Sequence, residues 1–148
     1  SRARNYVSDS IDNAMRRREL RAQQDLALQN LQEKQANELQ TATKETTLDK
    51  EKIALDQQKA DRERKKALKR AVSRQNALAG ARGVSDSASG EAILLGLFDE
   101  SEEERKERDR LDTLRNKSLE QGIENRQRRN LLEVSQLRER QALERSLL

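Results

Sequence analysis

Apolar residues are sparse in the first half of the chain, but they recur at a regular interval. One set is spaced by eleven residues and consists of Leu20, Leu31, Ala42 and Ile53. A second set, Leu28 and Leu39, shares that interval until Lys50 interrupts it. Eleven residues make three helical turns at about 3.67 residues per turn, so the spacing predicts a long helix whose apolar seam stays on one face.

Polar residues occupy the same register. Between the apolar positions lie Gln24, Gln35, Thr46 and Gln57, again eleven residues apart. Beyond Ile53 the spacing shifts towards seven, with the small residues Ala60 and Ala67. A partly polar seam of this kind makes a weak two-stranded zipper and is compatible with several bundle states.

One stretch, from Arg74 to Phe98, differs in character from the rest of the chain. It contains four of the five glycines, several serines and the densest apolar run. Glycine permits the positive backbone angles that reverse a chain after a helix, and serine caps the helix that follows. We therefore expect a hinge shaped by Gly80, Gly83 and Gly90. A short apolar helix is expected to follow it, with Ile93, Leu94, Leu97 and Phe98.

A second long helix is predicted to begin at Ser101. Ser101 and Glu104 match a capping box, and the acidic residues between them suit the positive end of a helix dipole. Apolar residues then follow at steps of three and four, which is typical of one helix face. They are Leu111, Leu114, Leu119, Ile123, Leu131, Val134, Leu137, Leu143, Leu147 and Leu148.

These elements predict an all-α fold of two long helices joined by a Gly/Ser-rich turn and a short apolar helix. The helices are expected to form a helical hairpin or a coiled-coil bundle in an oligomer. The predicted boundaries are a leader at 1–8, the first helix at 9–79, the hinge at 80–100 and the second helix at 101–148. Because the second helix is the shorter, an overhang of about 25 residues, roughly 9–33, needs partner chains to cover it.

Composition favours long helices over a compact domain. Of the 148 residues, 39% are charged and 32% hydrophobic, with one Phe, one Tyr and one Met, which is too little to fill a globular core. The 31 basic and 27 acidic residues are mixed along the chain, and proline is absent. Mixed charge without proline is typical of salt-bridged helix rather than of a disordered tail.

No pattern in the sequence predicts catalysis, a cofactor or a metal site. The chain has no cysteine and no histidine, which removes thiolate chemistry, disulfides and the usual zinc ligands. The acidic run after Ser101 lacks the alternating ligands and the glycine of a calcium loop, and no P-loop motif follows the glycines. We expect a non-enzymatic protein without a cofactor, and a soluble one, since no apolar segment is long enough to cross a bilayer.

Two basic clusters contain the candidate phosphate contacts. They are Arg16, Arg17 and Arg18 near the start, and Arg62, Arg64, Lys65, Lys66, Lys69 and Arg70 before the hinge. Such clusters either bind phosphates or form salt-bridged faces exposed to water. Asp61 and Glu63 flank the second cluster, and no aromatic side chain beside it could stack on bases. The salt-bridged face is favoured, and direct, non-specific contact with DNA is the alternative.

Apolar residues of the two helices and the hinge are the candidate contacts with other chains. They are Leu20, Leu28, Leu31, Leu39, Ile53, Ile93, Leu94, Leu97, Phe98, Leu131, Val134 and Leu137. The run from Ile93 to Phe98 is interpreted first as a plug that packs the turn against neighbouring chains. The alternative is a docking surface for a different protein, or a membrane-active tip.

The residues around the hinge resemble a known family. In order they are Arg74, Gln75, Ala77, Leu78, Ala79, Gly83, Val84, Ser87 to Gly90, Ile93, Leu94, Leu95, Glu102, Asp109 and Arg115. This order resembles the segment R-x-x-A-L-A-A-S-G-V, followed by S-G-S and an apolar helix, in internal virion proteins of tailed bacteriophages, also called core or ejection proteins. The similarity covers residues 74–115, and Gly80, Ala81 and Arg82 depart from it where small residues and serine are usual.

The resemblance implies a structural virion protein inside the capsid near the portal, which forms an oligomeric helical ring or channel and assists genome delivery. Its partners would be further copies of the chain and other virion proteins, namely portal, adaptor or other core proteins. Contact with packaged DNA would be non-specific, and contact with a membrane would follow ejection. Before assembly the protein would be soluble in the host cytoplasm. The alternatives are a tape-measure-like or adaptor-associated rod in the tail lumen, a DNA-organising coiled-coil protein and a bacterial coiled-coil scaffold.

Overall fold

The computed structural model describes residues 2–82 and 88–148. Two helices account for this part of the chain: α1 spans Arg2–Arg82 and α2 spans Ala88–Ser146. The described residues contain no strand. Both helices consist mainly of Ala, Leu, Gln, Glu, Lys and Arg, which have high helix propensity, and no proline interrupts them. The all-α prediction is confirmed.

Both helices begin earlier than predicted. Residues 2–8, which were expected to be a leader, form the first turns of α1. Because α2 begins at Ala88, the predicted short apolar helix and the helix predicted from Ser101 are one element. The capping-box assignment is therefore wrong. Ser101 is half-buried inside α2, and its main-chain oxygen accepts a hydrogen bond from Arg64 Nη1 at 3.1 Å.

The predicted hinge glycines are only partly described. Gly83 lies outside the described residues, so its role in the turn stays a prediction. Gly80 lies near the end of α1 and Gly90 near the start of α2. Both glycines were predicted to lie in the turn, and that placement is wrong because Gly80 belongs to α1 and Gly90 to α2.

The chain divides into two compact units. Unit 1 combines Ser1–Glu45 with Gln121–Leu148, and unit 2 is Thr46–Glu120. Each unit therefore contains one segment of α1 and one segment of α2. Hydrogen bonds across each pair of segments define how they are aligned.

The two segments of unit 1 run antiparallel. Gln24 bonds to Gln141, and Gln35, eleven residues later in α1, bonds to Asn130, eleven residues earlier in α2. The segments of unit 2 are antiparallel as well. Gln57 contacts Asp109, and Arg64, further along α1, contacts Ser101, which comes earlier in α2.

Burial along α1 follows the eleven-residue spacing. In unit 1 the residues turned towards α2 are Leu20, Gln24, Leu28, Leu31, Gln35, Leu39 and Ala42. In unit 2 the pattern continues with Thr46, Lys50, Ile53 and Gln57, at steps of four, three and four. The face predicted from the eleven-residue spacing is thus the face that each unit buries, whereas the shift towards a spacing of seven is wrong for Ala67, which is exposed. Lys50, which interrupts the apolar spacing, is half-buried, and its Nζ lies 3.1 Å from Glu120 Oε1.

α2 has a seam of its own, which the sequence pattern identified only in part. Its members in unit 2 are Leu94, Leu97, Ser101, Arg105, Arg108, Asp112, Asn116 and Leu119, and those in unit 1 are Ile123, Arg126, Asn130, Val134, Leu137 and Gln141. The predicted stripe is wrong for the leucines that the structure leaves exposed, namely Leu111, Leu114, Leu131, Leu143, Leu147 and Leu148. Polar side chains occupy many seam positions of α2, so apolar residues alone do not trace it.

The predicted overhang is also in the wrong place. Leu20, Leu28 and Leu31 were expected to need partner chains, but they are half-buried in unit 1. Within unit 1, the hydrogen bonds from Gln24 to Gln141 and from Gln35 to Asn130 align this part of α1 with the last residues of α2. The exposed stretch of α1 is residues 2–19.

Gly122 lies inside α2 at a position where a Cβ would meet no other atom within 4 Å. Glycine loses more backbone entropy than alanine when a helix forms. Replacing Gly122 with alanine should therefore raise the free energy of unfolding by about 1 kcal/mol. Urea unfolding followed by far-UV circular dichroism measures this, and Gly96→Ala, at a second open position, is the matched variant. A lower stability in either variant would contradict the open placement of these glycines.

Candidate interaction surfaces

Two buried glutamines join the segments of unit 1. Gln24 and Gln141 are only 4% and 6% exposed. Gln24 Nε2 donates to the main-chain oxygen of Gln141 at 2.9 Å, and Gln141 Nε2 donates to the main-chain oxygen of Gln24 at 2.8 Å. Arg145 Nη1 donates to Gln24 Oε1 at 3.0 Å. Because these buried polar groups are hydrogen-bonded, the pair can fix the register of the two segments without a large desolvation cost.

Gln35 repeats this arrangement eleven residues later. Its Nε2 donates to the main-chain oxygen of Asn130 at 2.9 Å, with Glu133 Oε2 at 3.4 Å. An amide bonded to the opposite backbone tolerates several residue types at the facing position, but it does not tolerate a shift along the helix. Glutamines at seam positions make α1 a weak apolar zipper. Their hydrogen bonds nevertheless determine how the two segments of unit 1 are aligned.

In unit 2 an open groove of about 540 Å³ is lined mainly by polar and charged residues. Asp109 is one of these residues and accepts hydrogen bonds from Gln57 Nε2 at 2.9 Å and Arg105 Nη1 at 3.0 Å. Arg105 also bonds to Glu102. That hydrogen bond holds the pKa of the Glu102 carboxyl below its usual value and raises the pKa of Arg105.

Two of the candidate phosphate contacts are engaged inside unit 2. Lys65 Nζ lies 3.0 Å from Asp61 Oδ2, and Arg64 bonds to the other oxygen of that carboxylate. Hydrogen bonds from Lys65 and then from Arg64 lower the pKa of Asp61. Since Arg64 also bonds to the main chain of Ser101, this arginine serves the packing of α1 on α2.

The other candidate phosphate contacts are exposed. Within residues 2–82 and 88–148 none of these forms an ion pair or hydrogen bond: Arg16, Arg18, Arg62, Lys66, Lys69 and Arg70. Arg17 Nη2 donates to the main-chain oxygen of Leu148 at 3.3 Å. The salt-bridged interpretation therefore describes Arg64 and Lys65, but not the exposed members of the same cluster.

A buried carboxylate lies in the seam of unit 2. Asp112 is 3% exposed, and its oxygens accept from Arg108 Nε at 3.3 Å and Arg115 Nη1 at 3.4 Å. Both arginines belong to α2 itself, so these contacts do not join the two segments. Next to them, Asn116 Oδ1 is buried and has no partner among the described residues. A buried charge of this kind contributes little stability, but it constrains what can face it on α1.

The candidate apolar contacts fall into two groups. Those that lie half-buried in the seams are Leu20, Leu28, Leu31, Leu39, Ile53, Leu94, Leu97, Val134 and Leu137. Ile93, Phe98 and Leu131 are exposed. The first group packs within the chain, so the second group is the one that is free to contact another chain.

Further exposed apolar residues lie on the face of α1 turned away from α2, which we name the outer face. In unit 1 they are Val7, Ile11, Met15 and Leu26, and in unit 2 they are Leu48 and Leu55. Leu26, for example, is two residues from the seam residues Gln24 and Leu28, and two residues correspond to about 200° of rotation. This line was not predicted from the sequence, although Met15 and Leu26 are separated by eleven residues and Leu26 and Leu48 by twenty-two.

No metal site or membrane span is found in the part of the chain that the structure describes. The chain has no His or Cys, and the Asp and Glu side chains among the described residues do not come together in threes that could hold a metal ion. Neither helix, over its described residues, combines the length and the apolar character that crossing a bilayer requires.

Comparison with protein-family models, with curated proteins and with solved structures finds no match for this chain.

Proposed function

We propose that the chain is a structural, non-enzymatic component of a bacteriophage particle and that it assembles through the faces its two units leave exposed. The observation that carries this proposal is the distribution of apolar side chains. Among the described residues, Ala79 is the one buried hydrophobic residue, while large apolar side chains such as Leu48, Leu55 and Leu131 are exposed. Helices that expose apolar residues on the face away from their partner are typical of subunits in a larger bundle.

The place in a phage particle is supported by the resemblance of residues 74–115 to internal virion proteins. A core or ejection protein near the portal, assembled as a ring or channel for genome delivery, requires helices that contact neighbours on more than one face. The outer face of α1 and the exposed Ile93, Phe98 and Leu131 of α2 meet that requirement. A tape-measure-like or adaptor-associated tail rod has the same requirement and is the structural alternative.

Sedimentation of the full chain tests the assembly part of the proposal. We expect a species of several copies whose dissociation on dilution is accompanied by a fall in helicity, because exposed apolar residues stabilise the helices only when another chain covers them. A monomer at every concentration, with a cooperative melting transition that does not depend on concentration, would contradict it.

Mass spectrometry of purified particles tests the location. An internal core protein should be present in intact particles and largely lost once the genome has been released. Retention of the chain in emptied particles at an unchanged amount would favour the tail rod, and absence from intact particles would refute the virion role.

A second candidate, a DNA-organising protein, is favoured by the exposed basic residues that have no partner among the described ones. Replacing Arg62, Lys66, Lys69 and Arg70 with glutamine should weaken binding to duplex DNA by at least about tenfold at low salt. The matched control neutralises four basic residues outside this cluster: Lys44, Lys52, Lys117 and Arg128. Fluorescence anisotropy between about 50 and 200 mM salt gives the measurement, and absence of binding at low salt would remove this candidate.

A further inference from the structure

The two helices carry complementary patterns within unit 2. On the outer face of α1, Leu55 is followed by three basic residues at steps of four, three and four: Lys59, Arg62 and Lys66. On α2, read from its C-terminal end, Leu111 is followed by three acidic residues at the same steps: Glu107, Glu104 and Glu100. If two such helices lie antiparallel, leucine faces leucine and every basic residue faces an acidic one.

Both patterns form lines on a helix surface and both are exposed. Steps of four, three and four cover eleven residues and three turns, so each line stays on one face. Leu55 and Leu111 are 63% and 42% exposed. In the part of the chain that the structure describes, none of the six charged side chains forms an ion pair or a hydrogen bond.

The two lines cannot meet within one chain. Leu55 is two residues from the seam residues Ile53 and Gln57, so its line points away from the α2 segment of its own unit. On α2 each member of the acidic line precedes a seam residue by one position, as Leu111 precedes Asp112. The acidic line therefore lies beside the seam, where a different molecule can reach it.

We infer that the outer face of α1 in one copy docks antiparallel on the acidic line of α2 in a second copy of this chain. Leu55 then packs on Leu111, and Arg62 faces Glu104 at the centre of the contact. This inference rests on the proposed oligomeric function and specifies which surfaces form the contact. Because the two surfaces differ, a pair of copies keeps one surface of each kind free, one on each copy, and repetition gives a ring when the rotation closes.

The positions of the leucines and of the charges together select one orientation and one register. In a parallel arrangement Leu55 would lie against Glu100 and Lys66 against Leu111. A shift of one turn in the antiparallel arrangement would bring Arg70 to Glu100, but it would place Lys59 against Leu111 and so remove the contact between the leucines. Charged pairs around an apolar contact contribute more to the choice of partner than to affinity, which is the role they have here.

Disulfide formation between copies tests the contact directly, because the chain has no cysteine of its own. An equimolar mixture of Leu55→Cys and Leu111→Cys proteins should form disulfide-linked dimers under mild oxidation, whereas either protein alone should not. Bridging requires Cα atoms within about 7 Å, so the reaction is sensitive to a shift of one turn. Efficient linkage of Leu55→Cys with itself, or equal linkage of Leu55→Cys with Leu114→Cys, would overturn the inferred contact.

Charge reversal tests the same contact without a covalent bond. Reversing Lys59, Arg62 and Lys66 to glutamate, or Glu100, Glu104 and Glu107 to lysine, should raise the dissociation constant by at least about tenfold. The protein with all six reversals should associate nearly as the parent does. Reversal of Arg128, Arg129 and Arg140 to glutamate is the control with the same change in charge as the first of these triple variants.

The outcomes separate this inference from the proposed function. Restoration of association in the six-fold variant supports the pairing. Two results would overturn the contact: both triple variants associate as the parent does, or the six-fold variant associates as weakly as the triple variants. In either case the proposed function would stand as long as the parent chain self-associates. A parent chain that is monomeric at all concentrations refutes both.

Discussion

Replacing Ile53 with aspartate should unfold unit 2 under conditions in which the parent chain is folded. Ile53 is half-buried in the seam of α1, and the contact of Gln57 with Asp109 places it opposite the buried Asp112. The variant would bring a second carboxylate into the seam next to a first one whose arginine partners lie on its own helix. We expect a loss of about 3–5 kcal/mol in the free energy of unfolding, measured by urea unfolding with far-UV circular dichroism.

The matched control for this prediction is Ile53→Lys. It removes the same apolar side chain, but it brings an ammonium group towards Asp112 instead of a like charge. We expect a loss of no more than about half of that caused by aspartate. Equal losses in the two variants would show that Asp112 does not face position 53 and that the register assigned to unit 2 is wrong.

Truncating both Gln24 and Gln141 to alanine should destabilise unit 1 by about 2–4 kcal/mol. The change removes two buried hydrogen bonds between side chain and main chain and leaves the space of two side chains unfilled. Because the two glutamines bond to each other's backbone, the single variants should not be additive, and a double-mutant cycle should give a coupling energy of about 1 kcal/mol.

Leucine at both positions separates hydrogen bonding from packing. The main-chain oxygens of Gln24 and Gln141 lie inside α1 and α2 and keep their helical hydrogen bonds, so the leucine pair orphans no buried backbone group. We expect this variant to be at least as stable as the parent chain. If the double leucine variant is as unstable as the double alanine variant, the hydrogen bonds of the glutamines contribute most of the stability. The expectation that apolar packing can replace them would then be wrong.

The seam of α1 could be predicted from the sequence because its eleven-residue interval is regular and its apolar members are conspicuous. The seam of α2 could not, since Arg105, Arg108, Asp112 and Asn116 occupy positions that a search for apolar stripes excludes. Arg105, Arg108 and Asp112 bond to residues of α2 itself, so these polar side chains satisfy one another along the helix. Which face of α2 packs on α1 depends on the alignment of the two helices, and the spacing of residues along one helix does not contain that information.

The start of α2 was misjudged because a local signal was given too much weight. Ser101 and Glu104 match a capping box, but the residues before them also form helix, and Gly96 costs only about 1 kcal/mol relative to alanine. The predicted alignment of the helices is therefore wrong, and so is the prediction that residues 9–33 have no partner helix. A boundary between two helices in such a sequence requires a stronger signal, such as a proline or a glycine in the left-handed conformation.

The sequence identified which types of residue form the candidate surfaces, but not which of their side chains are exposed or paired. Basic clusters were identified, but the sequence could not tell that Lys65 is engaged by Asp61 while Lys66 has no partner among the residues that the structure describes. Adjacent residues on a helix point about 100° apart, so Lys65 reaches Asp61, four residues earlier on the same helix, while Lys66 points elsewhere. The line of Leu55 on α1 became visible only when the seam had defined which face is the outer one.

Tyr6 lies in the exposed first part of α1, and it is the single tyrosine of a chain that has no tryptophan. The intrinsic ultraviolet fluorescence of the unmodified protein therefore originates almost entirely from this position. A molecule that covers Val7 or Ile11 would change the polarity around the phenol ring and alter its emission. Titrations can thus detect occupancy at the start of α1 without a label, while events at distant sites leave the signal unchanged.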